Sequence, residues 1–560
     1  MNSKKGQLNI KMRPPHTSSE RTFRRELKLR RSRVVAVFAL SFLALIIGCD
    51  PRNSLTGPID TSTPTLEAMD VENLITQAVE LAQRMGDTIV VAVTDRAGNT
   101  LGVFRMNGAT ITAKDPVFGP IVKARTAAFL SSNQHGFTSL TACYITRNHF
   151  PPGVANTGGG PLFGVPFSSL VGGDVQPNPG FQDGDTVYTI DFALTGSPGL
   201  TGVPGGVPVF KDGLLAGGIG VSGGDLSPFQ LDLCGGVIDD EIIALGAAIN
   251  YTVPSNKRGD NIFLDGIRLL YANAETPEGN FTLSYANIDP ALGTIESGFS
   301  ITKSPEFMYP KDGGVVKLGG KYDFDIRAGS AAGGLSLSAA EVAQIIDQAV
   351  AQANITRAAI RRPLGTAMRA FITVCDVNGD ILGIWRTPDA TIFSFDVSAQ
   401  KARTVVAFSD PSTILGIRIR SILGLSTNAE IGVTCRAVGF LSQDFYPPGI
   451  DEETLGEPVE SGPLFEGPLF KLQDNLDLTP YGNGITIFPG GIPLYKTDSL
   501  TNIRALVGGI GVSGDGVDQD DLVAYAGSIG FEPPDIIKCD QFFYRGVRLP
   551  YVKFPRRPEI

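Results

Sequence analysis

Apolar and polar positions change period along this chain in an order that runs twice. Val71, Leu74, Ile75, Ala78, Val79 and Ala82 fall at helical spacing, so 71–85 reads as an amphipathic helix. Ile89 to Val93 follows as a strand, Asp95-Arg96-Ala97-Gly98 as its turn, and Leu101 to Met106 as the returning strand. Lys123 to Leu130, KARTAAFL, predicts a second helix, and Thr141 to Ile145 a further strand before the Pro-Pro-Gly turn at Pro151. Gly205 to Gly224, GGVPVFKDGLLAGGIGVSGG, predicts two strands around a tight Lys211-Asp212-Gly213 turn. Asp239 to Ala248 predicts a helix whose acidic first turn suits the helix dipole, and Asp265 to Tyr271 closes the unit.

The same order then returns. Val342 to Ala353 matches Val71 to Ala82, with Ser338 and Glu341 as a capping box. Phe371 to Arg386 matches Val91 to Arg105, Lys401-Ala402-Arg403-Thr404 matches Lys123 to Thr126, and Tyr446 to Gly449 matches Phe150 to Gly153. Gly462-Pro463-Leu464-Phe465 matches Gly160 to Phe163, and Gly490 to Asp515 repeats the glycine hairpin with a longer Lys496–Arg504 loop. Gly546 to Leu549 matches Gly266 to Leu269. The chain is therefore two copies of one domain, with a period of about 280 residues that is far too long for a solenoid. The boundaries read as 65–271 and 335–554, joined by a mixed connection over 272–334 with strand-like pieces FTLSYANI and KYDFDIRA. Each copy carries a long Gly/Pro-rich insertion, at 152–204 and 449–489; Phe163, Phe167, Phe181 and Phe192 are candidate anchors for the first.

Both hairpins contain Gly-Gly-Ile-Gly-Val-Ser-Gly. Glycine inside a strand marks a bulge or a close backbone approach. Gly218, Gly220, Gly509 and Gly511 therefore border either a packed helix or a flat ligand.

The first 48 residues change the charge picture. A basic stretch to Arg33, an apolar run from Val34 to Ile47 and Gly48-Cys49 have the anatomy of a signal peptide, too short in its apolar part for a comfortable membrane span. Ile46-Ile47-Gly48-Cys49 resembles a bacterial lipobox, which makes Cys49 the lipidation site and new N-terminus; the alternative is an uncleaved signal anchor. Asp50 resembles an inner-membrane retention signal, and 49–64 reads as a flexible tether. This places the protein at the cell envelope, lipid-anchored, on a periplasmic or extracellular face. Without the basic leader the chain keeps 36 basic and 55 acidic residues, a net charge of −19, which argues against nucleic acid as a partner. Of six cysteines, five lie beyond Cys49 with neither C-x-x-C nor C-x-x-C-H spacing; a disulfide is open to them but not assignable.

The order of helix, hairpin, K-A-R-T helix, Pro-Gly turn, GG-[VI]-P and GGIGVSG resembles the GlcG/HbpS-like family, also called the haem-degrading or PduO C-terminal-like domain. The resemblance covers roughly 66–254 and 337–532, and both copies depart from it by their insertions. It implies an α/β (α+β) fold, a central antiparallel sheet flanked by helices in each copy. It also implies self-association and, in some members, haem binding outside the cell.

Haem requires an iron ligand and a hold on its propionates. Beyond the leader only His135 and His149 are histidines, and His149 is replaced by Phe445 in the second copy. Met106, beside Arg105, is an alternative ligand that becomes Thr387 there. Lys123 and Arg125, with Lys401 and Arg403, recur near a helix start, where cations oppose the dipole. Either they meet a propionate or phosphate, or they form salt bridges, for example with Asp95 and Asp376. Asp515, Asp518, Asp520 and Asp521 suggest a solvated helix start, or less readily a hard-cation site without the EF-hand pattern. The second copy has no histidine for a catalytic triad, and GGIGVSGG lacks the ending of a Walker loop. The expected function is an envelope-anchored binding protein for haem or a related tetrapyrrole, held between glycine hairpin and KAR helix. A ligand-free envelope scaffold is the alternative. Peroxide-dependent haem breakdown, which would make the protein an enzyme, has the least support.

Overall fold

The computed structural model describes residues 64–553 apart from 116–117, 148, 163–199, 224–237, 278–279, 305–312, 318–322, 331–334, 444, 451–459 and 465–483. Cys49 and the leader lie outside the described residues, as do all but the end of the tether and much of both insertions, including Phe163, Phe167, Phe181 and Phe192.

The first copy runs α1 (Ala68–Met85), β1 (Val90–Asp95), β2 (Thr100–Met106), α2 (Pro120–Phe129), α3 (Ser139–Ile145), β3 (Gly206–Lys211), β4 (Leu214–Ser222) and α4 (Asp239–Ala247), then a small hairpin, β5 (Phe263–Leu264) and β6 (Ile267–Arg268). After β7 (Gly293–Ile295) and β8 (Gly314–Val315) come α5 (Ala339–Ile355), β9 (Ala370–Asp376), β10 (Ile381–Arg386), α6 (Ser394–Ser409), α7 (Ile414–Ile422), α8 (Cys435–Leu441), β11 (Gly491–Thr497), β12 (Arg504–Gly514) and α9 (Val517–Gly527). The hairpin β13 (Phe543–Tyr544) and β14 (Val547–Arg548) ends the second copy. The two five-stranded sheets are ordered β3-β4-β1-β2-β7 and β11-β12-β9-β10-β8, with every pairing antiparallel. The connection thus splits, giving β7 to one sheet and β8 to the other. FTLSYANI holds only a 3-10 turn at Tyr285–Asn287, and the described part of KYDFDIRA forms no strand.

Alternation along β4 fixes the layers. Ile219 and Val221 join the buried cluster that includes Leu74, Ile75 and Val79 of α1 and Ile243 and Ala244 of α4. Gly218 and Gly220 point the other way, at α2. Each sheet is therefore sandwiched between a helix pair and the KAR helix.

One predicted strand is a helix. Thr138 caps α3: its hydroxyl accepts the Thr141 N–H at 3.1 Å, and the Thr141 hydroxyl in turn accepts the Thr138 N–H. A seven-residue apolar run suits either structure, and this local cap decides it. Thr434 caps α8 by accepting the Ala437 N–H at 3.3 Å.

The copies share a core. Phe129, Leu130, Phe137 and Phe150 of the first pack in one buried cluster with Ile392, Phe393 and Phe488 of the second. Among the described residues no helix is long and apolar enough to cross a membrane.

Candidate functional site

The repeated cations are structural. Lys123 Nζ donates to Asp240 Oδ2 at 2.7 Å and to the Val221 carbonyl at 2.8 Å; Lys401 Nζ donates to Asp520 Oδ2 and the Val512 carbonyl, both at 2.8 Å. Both lysines are wholly buried. Each ties a KAR helix to the first turn of α4 or α9, where an aspartate also suits the helix dipole. Burial pulls the Lys123 ammonium below its ordinary pKa, against the attraction of Asp240, and pushes Asp520 up to about 7. The salt bridges expected with Asp95 and Asp376 thus go elsewhere. Asp95 accepts the Ala97 and Asn99 N–H groups of its own turn, and Asp376 those of Asn378 and Asp380. Arg125 and Arg403 donate through Nε to the turn carbonyls of Gly98 and Gly379, at 3.1 and 2.9 Å.

The glycines settle against those helices. A Cβ on Gly218 would lie 2.1 Å from the Ala124 carbonyl oxygen, and one on Gly220 1.9 Å from that of Pro120. Gly509 and Gly511 meet Ala402 and Ser398 oxygens at 2.4 and 2.0 Å. Helix backbone fills the space reserved for a planar guest, so the expected pocket between hairpin and KAR helix is not there.

The remaining candidates are scattered. Met106 is buried in the first core. Arg105 pairs with Glu296 at 3.0 Å and donates to the Ala109 carbonyl at 2.9 Å. His149 Nδ1 bonds the Thr157 carbonyl at 2.7 Å, and its ring stacks on Phe445, its own counterpart, with centroids 5.4 Å apart.

The acidic cluster is ion-paired, with Asp515, Asp520 and Asp521 buried and Asp518 part-exposed. Asp515 pairs with Arg361 at 2.5 Å, Asp520 with Lys401, and Asp518 and Asp521 with Arg436. Arg361 belongs to a buried network that crosses between the copies. It reaches Asp389 at 2.5 Å and Ser132 and Gln134 at 3.2 Å, while Arg96 meets Asp389 from the first copy at 2.5 Å. Burial opposes the Asp389 charge, but Arg361 and Arg96 hold this carboxyl well below the usual range. Beside them His135 lies buried between the Ser132 hydroxyl and the Leu130 carbonyl, at 2.8 and 2.9 Å. Burial, reinforced by Arg361, brings its pKa down to about 3. No group of His, Cys, Asp and Glu suited to a metal ion occurs among the described residues.

The open space lies elsewhere. A cleft of about 760 Å³ opens between the copies. Phe150 and Phe263 of the first copy and Phe440 and Phe488 of the second line it, with Arg357, Arg436 and Lys553 and the carboxylates Asp265 and Asp518 also in its wall. Arg436 Nη2 is 2.7 Å from Asp518, and Lys553 pairs with the same carboxylate. Arg357 is exposed and makes no ion pair among the described residues. An adjoining slot of about 60 Å³ is lined by Phe393, Phe488, Asp515 and Asp520. The cleft wall mixes aromatic and polar groups with charges of both signs, and its volume suits a drug-sized molecule. None of its described lining residues is a His, Met, Cys or Tyr, and His149 is not among them. The sequence reading missed every cation and aromatic of this wall. The only signal was that Arg436 and Lys553 differ from their counterparts, Leu140 and Asn273.

Similar solved structures include a PduOC:haem complex (21% identity, 35% of this chain, 96% of that one, TM-score 0.21). Others are the Klebsiella pneumoniae protein ORFY (20%, 35%, 97%, TM-score 0.21) and a Streptomyces reticuli HbpS double mutant (21%, 35%, 97%, TM-score 0.20). None of the curated proteins compared with the chain matches it. The family model described as haem degrading protein HbpS-like matches residues 66–228 and again 337–528. With both copies matched over most of their length, the chain belongs to the HbpS-like family and carries its domain twice.

Proposed function

We propose that the protein binds a haem-related tetrapyrrole in the cleft between its two copies, and that it does so at the cell envelope. The open, aromatic-walled cleft carries the reading. Its volume of about 760 Å³ lies in the range of small-molecule sites, about 300–1,000 Å³. Phe440 and the exposed Phe263 offer surface for a flat macrocycle, with Phe150 and Phe488 buried in the wall, and Arg357, Arg436 and Lys553 offer donors for its carboxylates. The described wall supplies no His, Met, Cys or Tyr for iron, so the fit is to the macrocycle and its carboxylates. Metal-free protoporphyrin is then held about as well as ferric haem.

Absorption titration of the full chain with each compound tests this. Saturable binding of both, weakened at least tenfold in Phe440→Ala, is expected. No spectral change with either compound contradicts it and leaves the ligand-free scaffold as the better reading.

Lipidation at Cys49 is the envelope part of the proposal. Its support is the leader's anatomy together with Cys143, which is disulfide-bonded, a state that persists in oxidising compartments. Labelled palmitate should enter the wild-type chain in a bacterial host and not Cys49→Ala; equal labelling of both contradicts lipidation there.

A further inference from the structure

We infer that the chain takes one planar, carboxylate-bearing ligand rather than two, because only the second copy brings cations to the cleft, whereas the first copy's equivalent positions carry none and lie outside it. The inference rests on the cleft being the binding site.

Three pairs of contacts set the two copies in register. Thr138 and Thr434 cap α3 and α8, which makes Leu140, Cys143, Tyr144 and Arg147 the counterparts of Arg436, Gly439, Phe440 and Gln443. The lysine partners Asp240 and Asp520 make Ile238 the counterpart of Asp518. Glu241 accepts the Asn273 N–H at 2.9 Å as Asp521 accepts the Lys553 N–H at 3.1 Å, so Asn273 stands where Lys553 does.

At three of these matched positions, Leu140/Arg436, Ile238/Asp518 and Asn273/Lys553, the first copy is uncharged where the second is charged; Tyr144 and Phe440 are both aromatic, and Arg147 stands opposite Gln443. In the first copy Leu140, Cys143 and Ile238 close on one another in a buried apolar cluster, and Cys143 is disulfide-bonded. Hydrocarbon fills the place. In the second copy Arg436 pairs with Asp518 and Asp521, and Lys553 with Asp518, while Gly439 adds no side chain. Arg436, Gly439 and Phe440, at helical spacing on one face of α8, line the cleft together with Gln443 just beyond the helix. The ion pairs orient two cations at its wall, whose side chains keep 19% and 42% of their exposure. A carboxylate-bearing planar ligand meets donors there. At the first copy's equivalent place it would meet Leu140 and Ile238.

The test is stoichiometry plus a graft. The full wild-type chain is titrated with ferric haem and, separately, with the apolar anionic dye 8-anilinonaphthalene-1-sulfonate. The double variant Arg436→Leu with Asp518→Ile carries the first copy's residues at those positions, leaving Asp521 as Glu241 already stands. One equivalent of haem per wild-type chain is expected, with at least a tenfold loss of affinity in the graft at unchanged circular dichroism. Two equivalents, or a folded graft that binds like the wild type, overturn the inference. If the graft does not fold, the wild-type stoichiometry decides alone. Haem failing while the dye binds once and is lost in the graft sinks the tetrapyrrole reading but keeps the single site. Neither probe binding overturns both.

Discussion

At the residue scale, the positions that repeat hold the fold. Removing one partner of a buried ion pair strands the other charge, at a cost of about 3–5 kcal/mol. Lys123→Met and Lys401→Met should each lose that much in urea unfolding, whereas a loss under about 1 kcal/mol would deny the lysines their clamping role. Gly220→Ala sets a methyl 1.9 Å from the Pro120 oxygen. It should cost about 1–3 kcal/mol or more, as overpacking does. Gly158→Ala, with no heavy atom within 4 Å, should change stability by no more than about 0.5 kcal/mol. Equal effects of the two substitutions would refute the close-packing account.

At the element scale, His135 lies on the loop between α2 and α3, against the network that joins the copies. Its folded pKa of about 3 is below the unfolded value of about 6.5, so the folded loop keeps the ring neutral. Its contribution is present above about pH 6.5 and lost as pH falls towards about 3. Asp95 and Glu241, raised by burial to about 6 and 7, act in the opposite sense and favour folding as pH falls through those values. A His135→Asn variant separates the two. Its melting temperature relative to wild type should improve steadily from pH 7 to pH 4, and a constant difference would exclude this assignment.

Periodicity made most elements legible. Both amphipathic helices, the hairpins and the duplication follow from it, because those segments bury one face of a regular structure. It failed at α3, where Thr138 rather than period decides, and at β7 and β8, whose two or three residues borrow their pairing from a sheet formed elsewhere. The site was less legible for a physical reason. Repetition in sequence marks what both copies need, and Lys123, Arg125, Gly218 and Gly220 are needed for packing. Arg436, Phe440 and Lys553 do not repeat, and they face a space that exists only once the two copies meet.

At the scale of the whole molecule, the copies share a buried core and a buried charge network, so they should unfold together. Trp385, the chain's single tryptophan, sits half-buried on β10 of the second copy. Its fluorescence should follow the same urea transition as far-ultraviolet circular dichroism, which reports both copies. Arg361→Met, which removes the centre of the network, should shift both probes equally. Two separated transitions in the wild type would show copies that merely adjoin.

The central claim is that a ligand enters between the copies and not beneath the glycine strands. Hydrogen–deuterium exchange of the full chain, with and without saturating ferric haem, tests it most directly. Slower exchange is predicted in 436–443, 516–519 and 550–553 and around Phe150 and Phe263, with β4 and α2 unchanged. Protection confined to β4 and α2, or no protection anywhere, would contradict it.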